Sequence, residues 1–344
     1  MKNDSLLVTA SRRWKPMLLS AFFLPAHLLM ALTVSADLAT PLIFRGLCDA
    51  SATVLLDGQH FAVADDEDNR LHIYQRHKPG LPVWSEDVSR FLRTSSASAE
   101  SDIEGAARIG NRIYWITSHG ANAKGKDAPD RHRLFATEIE FTNGTVRLQP
   151  AGYSYHSLLR DLAADPRYAM IKPALVATLP PKTPGALNIE GLGATGEGHL
   201  LVGFRNPIPG GRAMLARLLN PEEIVAGKAA RLGEPLFLDL EGLGIRSIAE
   251  TPDSYLIIAG SHDNEKPSIL YAWKGGSDKP HRMNIPALNG LNPEGISFYR
   301  GPGNAGFLIV SDDGALKVGK KCCKNLKDPA LKGFRSVWIS EDHR

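Results

Sequence analysis

One plan recurs along this chain and restricts its fold more than any other feature. Ser101 to Gly120, SDIEGAARIGNRIYWITSHG, holds a short acidic approach, a Glu-Gly step, a strand of small residues and a turn at Gly110-Asn111. A second strand, Ile113 to Thr117, and a polar Ser-His-Gly exit follow. The plan returns at Asn188-Ile189-Glu190-Gly191, with second strand Leu200 to Phe204 and exit Arg205-Asn206-Pro207. It returns again at Asn292-Pro293-Glu294-Gly295, with strand Phe307 to Val310 and exit Ser311-Asp312-Asp313. Two looser copies lack the Glu-Gly pair. One runs from Asp49-Ala50-Ser51-Ala52 to Asp65-Asp66-Glu67, the other from Arg246-Ser247-Ile248 to Ser261-His262-Asp263. Strand-turn-strand units recurring at intervals of roughly 50 to 85 residues imply an all-β array of small sheets, a β-propeller. Five blades are legible, and the long interval from Phe141 to Ala186 leaves room for a sixth.

The first 36 residues stand outside this plan. Lys2, Arg12, Arg13 and Lys15 precede an apolar run from Met17 to Val34, and Val34-Ser35-Ala36 offers a small-residue cleavage site. This predicts a secretory signal peptide over 1–36 and a single propeller domain over 37–344, periplasmic or secreted; the alternative is an uncleaved anchor. The leader carries four of the 40 Lys and Arg and one of the 37 Asp and Glu, leaving 36 of each. A chain so balanced gives no compositional support to nucleic-acid binding. After cleavage nothing calls for a membrane, and a monomer is expected.

Leu42-Ile43-Phe44 is a strand with no partner in the first repeat, and Arg335 to Ile339 is a strand after the last. Their pairing would complete the final sheet and close the ring, which removes exposed strand edges. Cys48 lies near one end of the domain and the adjacent Cys322 and Cys323 near the other. A bridge from Cys48 to one of the pair would tie the ends together. A bond between the neighbours, or three free thiols, remain the alternatives. Lys317 to Lys332 reads as a basic, solvated excursion.

In a radial array the approach to each first strand and the exit of each second strand open on one face. Residues far apart in sequence then share a rim, where a ligand is expected. Glu104, Glu190 and Glu294 are the candidate catalytic carboxylates, with His119 and His262 in the exit loops. Asp65, Asp66, Glu67 and Asp312 are candidate metal ligands; Arg205, Asn206, Arg246 and Lys124 are candidate substrate contacts. Crowded carboxylates raise one another's pKa unless cations sit among them, and an oxygen-rich set suits Ca²⁺. A small polar or anionic ligand follows, held by metal and Arg together. Each Glu has a plainer reading beside this one, as an acceptor for backbone N–H groups of the next blade, with the following Gly needed for close strand approach. Loop hydrogen bonding is the plainer reading of both His residues.

Four strings also carry a family resemblance: Cys48-Asp49-Ala50-Ser51-Ala52, Ala64-Asp65-Asp66-Glu67-Asp68-Asn69, Asp102-Ile103-Glu104-Gly105-Ala106 and Asn188-Ile189-Glu190-Gly191-Leu192. Together they resemble an uncharacterised bacterial family, domain of unknown function 3616, over nearly all of the mature chain. The resemblance implies a β-propeller, more distantly similar to esterase-like phytases and calcium-dependent lactonases, which also use Glu near a channel mouth. The family brings no catalytic residues to carry over, and the continuous ligand pattern of a phytase or lactonase is missing. Two expectations follow: a metal-assisted hydrolase of a small phosphoester or lactone, or a non-catalytic propeller that binds a ligand or protein on the same rim.

Overall fold

The computed structural model describes residues 40–341 apart from 97, 98, 177, 302 and 303. The expected leader lies outside the described residues. Strand β1 (Leu42–Arg45) comes first. Blade 1 is β2 (Ala50–Leu55), β3 (His60–Asp65), β4 (Arg70–Gln75) and β5 (Trp84–Asp87). Blade 2 is β6 (Ile103–Ile109), β7 (Arg112–Thr117), β8 (Leu134–Thr142) and β9 (Thr145–Tyr155). Blade 3 is β10 (Asn188–Ala194), β11 (Leu200–Asn206), β12 (Ala213–Leu218) and β13 (Leu236–Leu238). Blade 4 is β14 (Gly244–Glu250), β15 (Tyr255–Gly260), β16 (Ile269–Trp273) and β17 (His281–Met283). Blade 5 opens with β18 (Pro293–Gly301) and β19 (Asn304–Ser311). A small hairpin, β20 (Lys317–Val318) with β21 (Lys321–Cys322), interrupts it before β22 (Gly333–Ser340).

Blade 5 takes β1 as its outermost strand, with Leu42 opposite Ser336 and Arg45 opposite Gly333. Each blade's first strand packs on the next, and β18 packs back on β2, so the wheel is closed by both ends of the domain. Side chains alternate across each strand, which explains where the core lies. In β15, Leu256 and Ile258 face blade 5 while Ile257 and Ala259 face blade 3. Among the described residues, five buried clusters result, one at each junction between neighbouring blades.

Among the described residues, no sixth blade occupies Phe141 to Ala186. Both β8 and β9 are long, and the remainder is helical: Leu158–Ala164, Pro166–Ile171 and Lys172–Val176. The first of these helices starts at Leu158, because Ser154 and Tyr155 still belong to β9. Leu158, Leu162, Tyr168 and Ile171 bury against blades 2 and 3, so the insertion extends a core instead of forming a sheet. The turns follow their chemistry. Asn143 and Gly144 both have positive φ, 52° and 76°, as a two-residue hairpin of this kind requires. The Asp57-Gly58 hairpin uses a different device: Asp57 Oδ1 accepts from the N–H groups of Gln59 and His60.

Candidate metal and catalytic centre

Every innermost strand carries a register shift at its equivalent residue. Pairing skips Ser51 in β2, Glu104 in β6, Glu190 in β10, Arg246 in β14 and Glu294 in β18. A bulge leaves one residue unpaired and re-aims its side chain. Five such bulges bring these residues into one ring near the approach end of the channel. Ser51 Oγ donates to the Ile103 carbonyl of the next blade at 2.5 Å, and carboxylate oxygens of Glu104, Glu190 and Glu294 lie within 4.8 Å of one another. The glycine after each Glu is steric. A Cβ on Gly105 would lie 2.6 Å from the Glu190 carbonyl oxygen, and one on Gly295 would lie 2.7 Å from Val310 Cγ2.

The ring is held by two guanidinium groups. Arg246 is 2 % exposed; its Nε donates to Glu190 Oε2 at 3.2 Å, its Nη2 to Glu294 and its Nη1 to Asn292 Oδ1 at 3.1 Å. Arg205, also buried, donates through Nη1 to Glu190 Oε1, through Nε to the Ser261 carbonyl at 3.0 Å and through Nη2 to Asn264. Every nitrogen of both groups is therefore engaged inside the protein. The Glu190 and Glu294 carboxylates accept from side chains, not from backbone N–H groups of the next blade, with Asn188 Nδ2 completing Glu190 at 2.9 Å.

Glu104 differs from its two counterparts. It is 7 % exposed, and among the described residues its carboxylate takes no hydrogen bond. Burial pushes its pKa well above the usual carboxylate range, the Glu190 and Asp102 charges push the same way, and Arg205 and Arg246 oppose them. On its outer side Glu104 meets Asp102 and Asp66, with one oxygen from each of the three within 4.8 Å. Asp66 Oδ1 is enclosed without a hydrogen-bond partner. Burial and the Glu104 charge drive its pKa well up. Asp102 sits at positive φ, 61°, which turns its carboxylate toward Arg131 Nη1 at 2.8 Å. A third triad, Asp49, Asp66 and Glu67, lies further out and shares Asp66.

Other candidate residues lie around this centre in supporting positions. Asp65 is buried and accepts from the Glu67 N–H at 2.8 Å. Asp312 accepts from Asn292 Nδ2 at 3.1 Å and the Gly314 N–H at 2.9 Å, holding the turn that faces Asp49. The Asn206 side chain donates to the carbonyls of Pro181 and Thr183, anchoring the loop before blade 3. His119 is buried, its Nδ1 2.8 Å from the Thr117 carbonyl, and burial lowers its pKa to about 3. His262 is half-buried in the turn after β15, and Lys124 is exposed in the turn at Asn122 to Lys126.

The basic excursion after β19 is not merely solvated. Cys323 bonds Cys48, leaving Cys322 free, and Lys324 Nζ reaches Glu67 Oε1 at 2.7 Å. Arg131 and Lys324 are residues that sequence reasoning left out of the site. Asp102 stands two residues before Glu104 and Asp49 two before Ser51, on the strand approaches that sequence places at the rim. Nothing near Arg131 or Lys324 in sequence signals the mouth.

The channel's far end is a separate place. A cavity of about 410 Å³ opens there, lined by the last residues of the five inner strands, including Arg108, Glu250 and Tyr299.

Comparison with known families meets this geometry part-way along the chain. Residues 142–306 match the family described as Protein of unknown function (DUF3616). That bears out the family of the resemblance over a stretch holding Asn188 to Leu192; the other three strings lie before the matched residues. The DUF3616 match takes in Glu190, Arg205, Arg246 and Glu294 of the ring; Glu104 and the outer carboxylates precede it. A comparison with curated proteins finds no match. Solved structures similar in fold include a glutaminyl cyclase of Myxococcus xanthus, 12 % identical with TM-score 0.42, covering 88 % of this chain and 99 % of that one. A gluconolactonase of Xanthomonas campestris is 13 % identical with TM-score 0.37, covering 79 % and 72 %. A mutant sialidase of Trypanosoma rangeli is 12 % identical with TM-score 0.40, covering 77 % and 43 %.

Proposed function

We propose that the protein is a secreted hydrolase that binds a divalent cation, Ca²⁺ by the character of its donors, between Asp66, Asp102 and Glu104 and cleaves a small phosphoester or lactone at the channel mouth. The observation that carries this reading is the convergence of those three carboxylates, with Asp66 Oδ1 enclosed without a hydrogen-bond partner and, among the described residues, no hydrogen bond to the Glu104 carboxylate. Oxygen ligands stand about 2.3–2.6 Å from Ca²⁺, so donors around one ion lie within roughly 5 Å of one another, a bound that this triad meets. An enclosed carboxylate oxygen left without a partner is otherwise costly. A bound cation would polarise a phosphoryl or carbonyl oxygen and lower the pKa of water.

The chain's own groups divide the work. Arg205 and Arg246 fix Glu190 and Glu294, and these hold the inner wall against which Glu104 is aimed. Arg131 orients Asp102. Substrate contact falls to the cation and to the rim, since the two ring arginines have their nitrogens engaged within the protein. The Cys48–Cys323 bond supports an oxidising compartment, periplasmic or extracellular. Four of the five outermost strands, β1, β5, β13 and β17, are only three or four residues long, and such short edges disfavour pairing between copies, which supports a monomer.

Elemental analysis of the purified mature chain tests this reading, together with hydrolysis of para-nitrophenyl phosphate and of a γ-lactone before and after EDTA. Stoichiometric divalent metal, activity lost on chelation and activity lost in Glu104→Gln are expected. Metal uptake with no turnover on either class would favour a non-catalytic binding propeller. No metal and unaltered behaviour in EDTA would overturn the proposal.

A further inference from the structure

Asp66 belongs to two triads, the inner one with Asp102 and Glu104 and the outer one with Asp49 and Glu67. We propose that the mouth holds two divalent cations bridged by the Asp66 carboxylate, the second seated between Asp49, Asp66 and Glu67. The inference rests on the inner-site reading above and deepens it by naming a phosphoester as the substrate class, since a paired centre suits in-line displacement at phosphorus.

Asp49 supplies an observation beyond the clustering of acids. It is 6 % exposed, and among the described residues its carboxylate takes no hydrogen bond. Gly314 closes one side of it so tightly that a Cβ there would fall 1.6 Å from Asp49 Oδ1. The carboxylate is confined and has an oxygen within 4.8 Å of oxygens of Asp66 and Glu67. Lys324 does not supply the missing partner, since its Nζ meets Glu67 Oε1 and, among the described residues, hydrogen-bonds to neither Asp49 nor Asp66.

Charge points the same way. Asp49, Asp66, Glu67, Asp102 and Glu104 have only Lys324 and Arg131 as direct cationic partners, and Arg131 is shared with Glu100. One divalent cation leaves this set anionic and repels a phosphate. A second removes the remaining excess and admits one. Paired ions of this kind stand about 3.5–4 Å apart and stabilise the attacking and leaving oxygens of an in-line displacement. In that reaction a water oxygen forms a new bond to phosphorus and the ester P–O bond breaks. Its electron pair leaves on the alcohol oxygen, which takes the proton lost by water.

The test is titration of the EDTA-stripped full chain with Mn²⁺ alone, read by calorimetry, native mass spectrometry and electron paramagnetic resonance. Two ions per chain and a spin-coupled Mn²⁺ pair are expected. Glu67→Gln, a change at an exposed side chain, should bind one ion, lose the coupling and lose at least 100-fold of phosphoester hydrolysis. Lys324→Met should tighten the weaker site at least fivefold. One ion in the wild type, unchanged in Glu67→Gln, overturns the paired centre and leaves the inner site standing. No ion at all overturns both.

Discussion

Arg246 and Glu294 stand at the same bulge of neighbouring blades and are joined to each other beside the axis, Arg246 Nη2 donating to the Glu294 carboxylate. Blade 4 thus places a cation where three other blades place an acid. The substitution turns a repulsive ring of carboxylates into a held one, because the same guanidinium also takes Glu190.

Arg246→Met should therefore unfold more easily than the wild type by about 3–5 kcal/mol, the range for removing one partner of a buried ion pair. Adding Glu294→Gln to it should recover part of the loss, since one stranded charge then disappears. Urea denaturation of both variants decides. A single variant within about 0.5 kcal/mol of wild type, the scatter of ordinary surface changes, would show that Arg246 does not hold the ring.

The Glu-Gly step makes a steric prediction of its own. In Gly105→Ala the new methyl would meet the Glu190 carbonyl oxygen at 2.6 Å, and backbone cannot swing aside as a flexible side chain does. A loss of about 1–3 kcal/mol is expected, the usual effect of overpacking, with weaker divalent binding because Glu104 precedes the displaced residue. Gly110→Ala tests a different cause. Its φ of 61° strains the variant, but no atom lies within 4 Å of the new methyl, so divalent binding should be unchanged.

How much of this was legible in the sequence depends on whether a feature is local. The strand-turn-strand plan is local, so five blades could be counted, and the unpaired strand at Leu42 correctly implied closure with the strand after Arg335. The ring of bulges is a property of pairing between strands. No residue type at Arg246 or Ser51 announces it, and these two blades were visible only as degenerate copies of a Glu-Gly repeat. The assignment of Arg205 and Arg246 to substrate rested on charge alone, whereas burial directs both inward. Lys324 was passed over because its run of basic residues reads as solvated. Its reach to Glu67 depends on the neighbouring Cys323 being bonded to Cys48.

That bond closes 275 residues of chain. The native protein should give one thiol to Ellman's reagent after denaturation without reductant, and three after reduction, because the sequence holds three cysteines and Cys322 is free. Cys48→Ser should lower stability by about 2–5 kcal/mol, as loss of a native bridge commonly does. Release of the Lys324 segment should accompany it, seen as faster amide exchange over residues 314–332. Three thiols before reduction would rule the bridge out.

The last expectation concerns acid. His72 is buried in β4, its Nδ1 2.7 Å from Ser85 Oγ, and burial lowers its pKa to about 4, with the Arg70 charge adding to the effect. An unfolded chain protonates this residue near its ordinary value of 6.5, while the folded one holds it neutral. The unfolded state then binds more protons between those values, so the stability linked to His72 is present above pH 6.5 and lost as pH falls to 4. The shift corresponds to about 3 kcal/mol at most, at 1.36 kcal/mol per unit. His119, lowered to about 3, acts in the same direction. Measured against His72→Gln, the wild type should lose up to that amount across the window, while the raised carboxylates of the mouth contribute alike to both proteins. Parallel stability curves for the two from pH 7 to 4 would mean that His72 is protonated in the folded blade, and the neutral Ser85 contact would have to be abandoned.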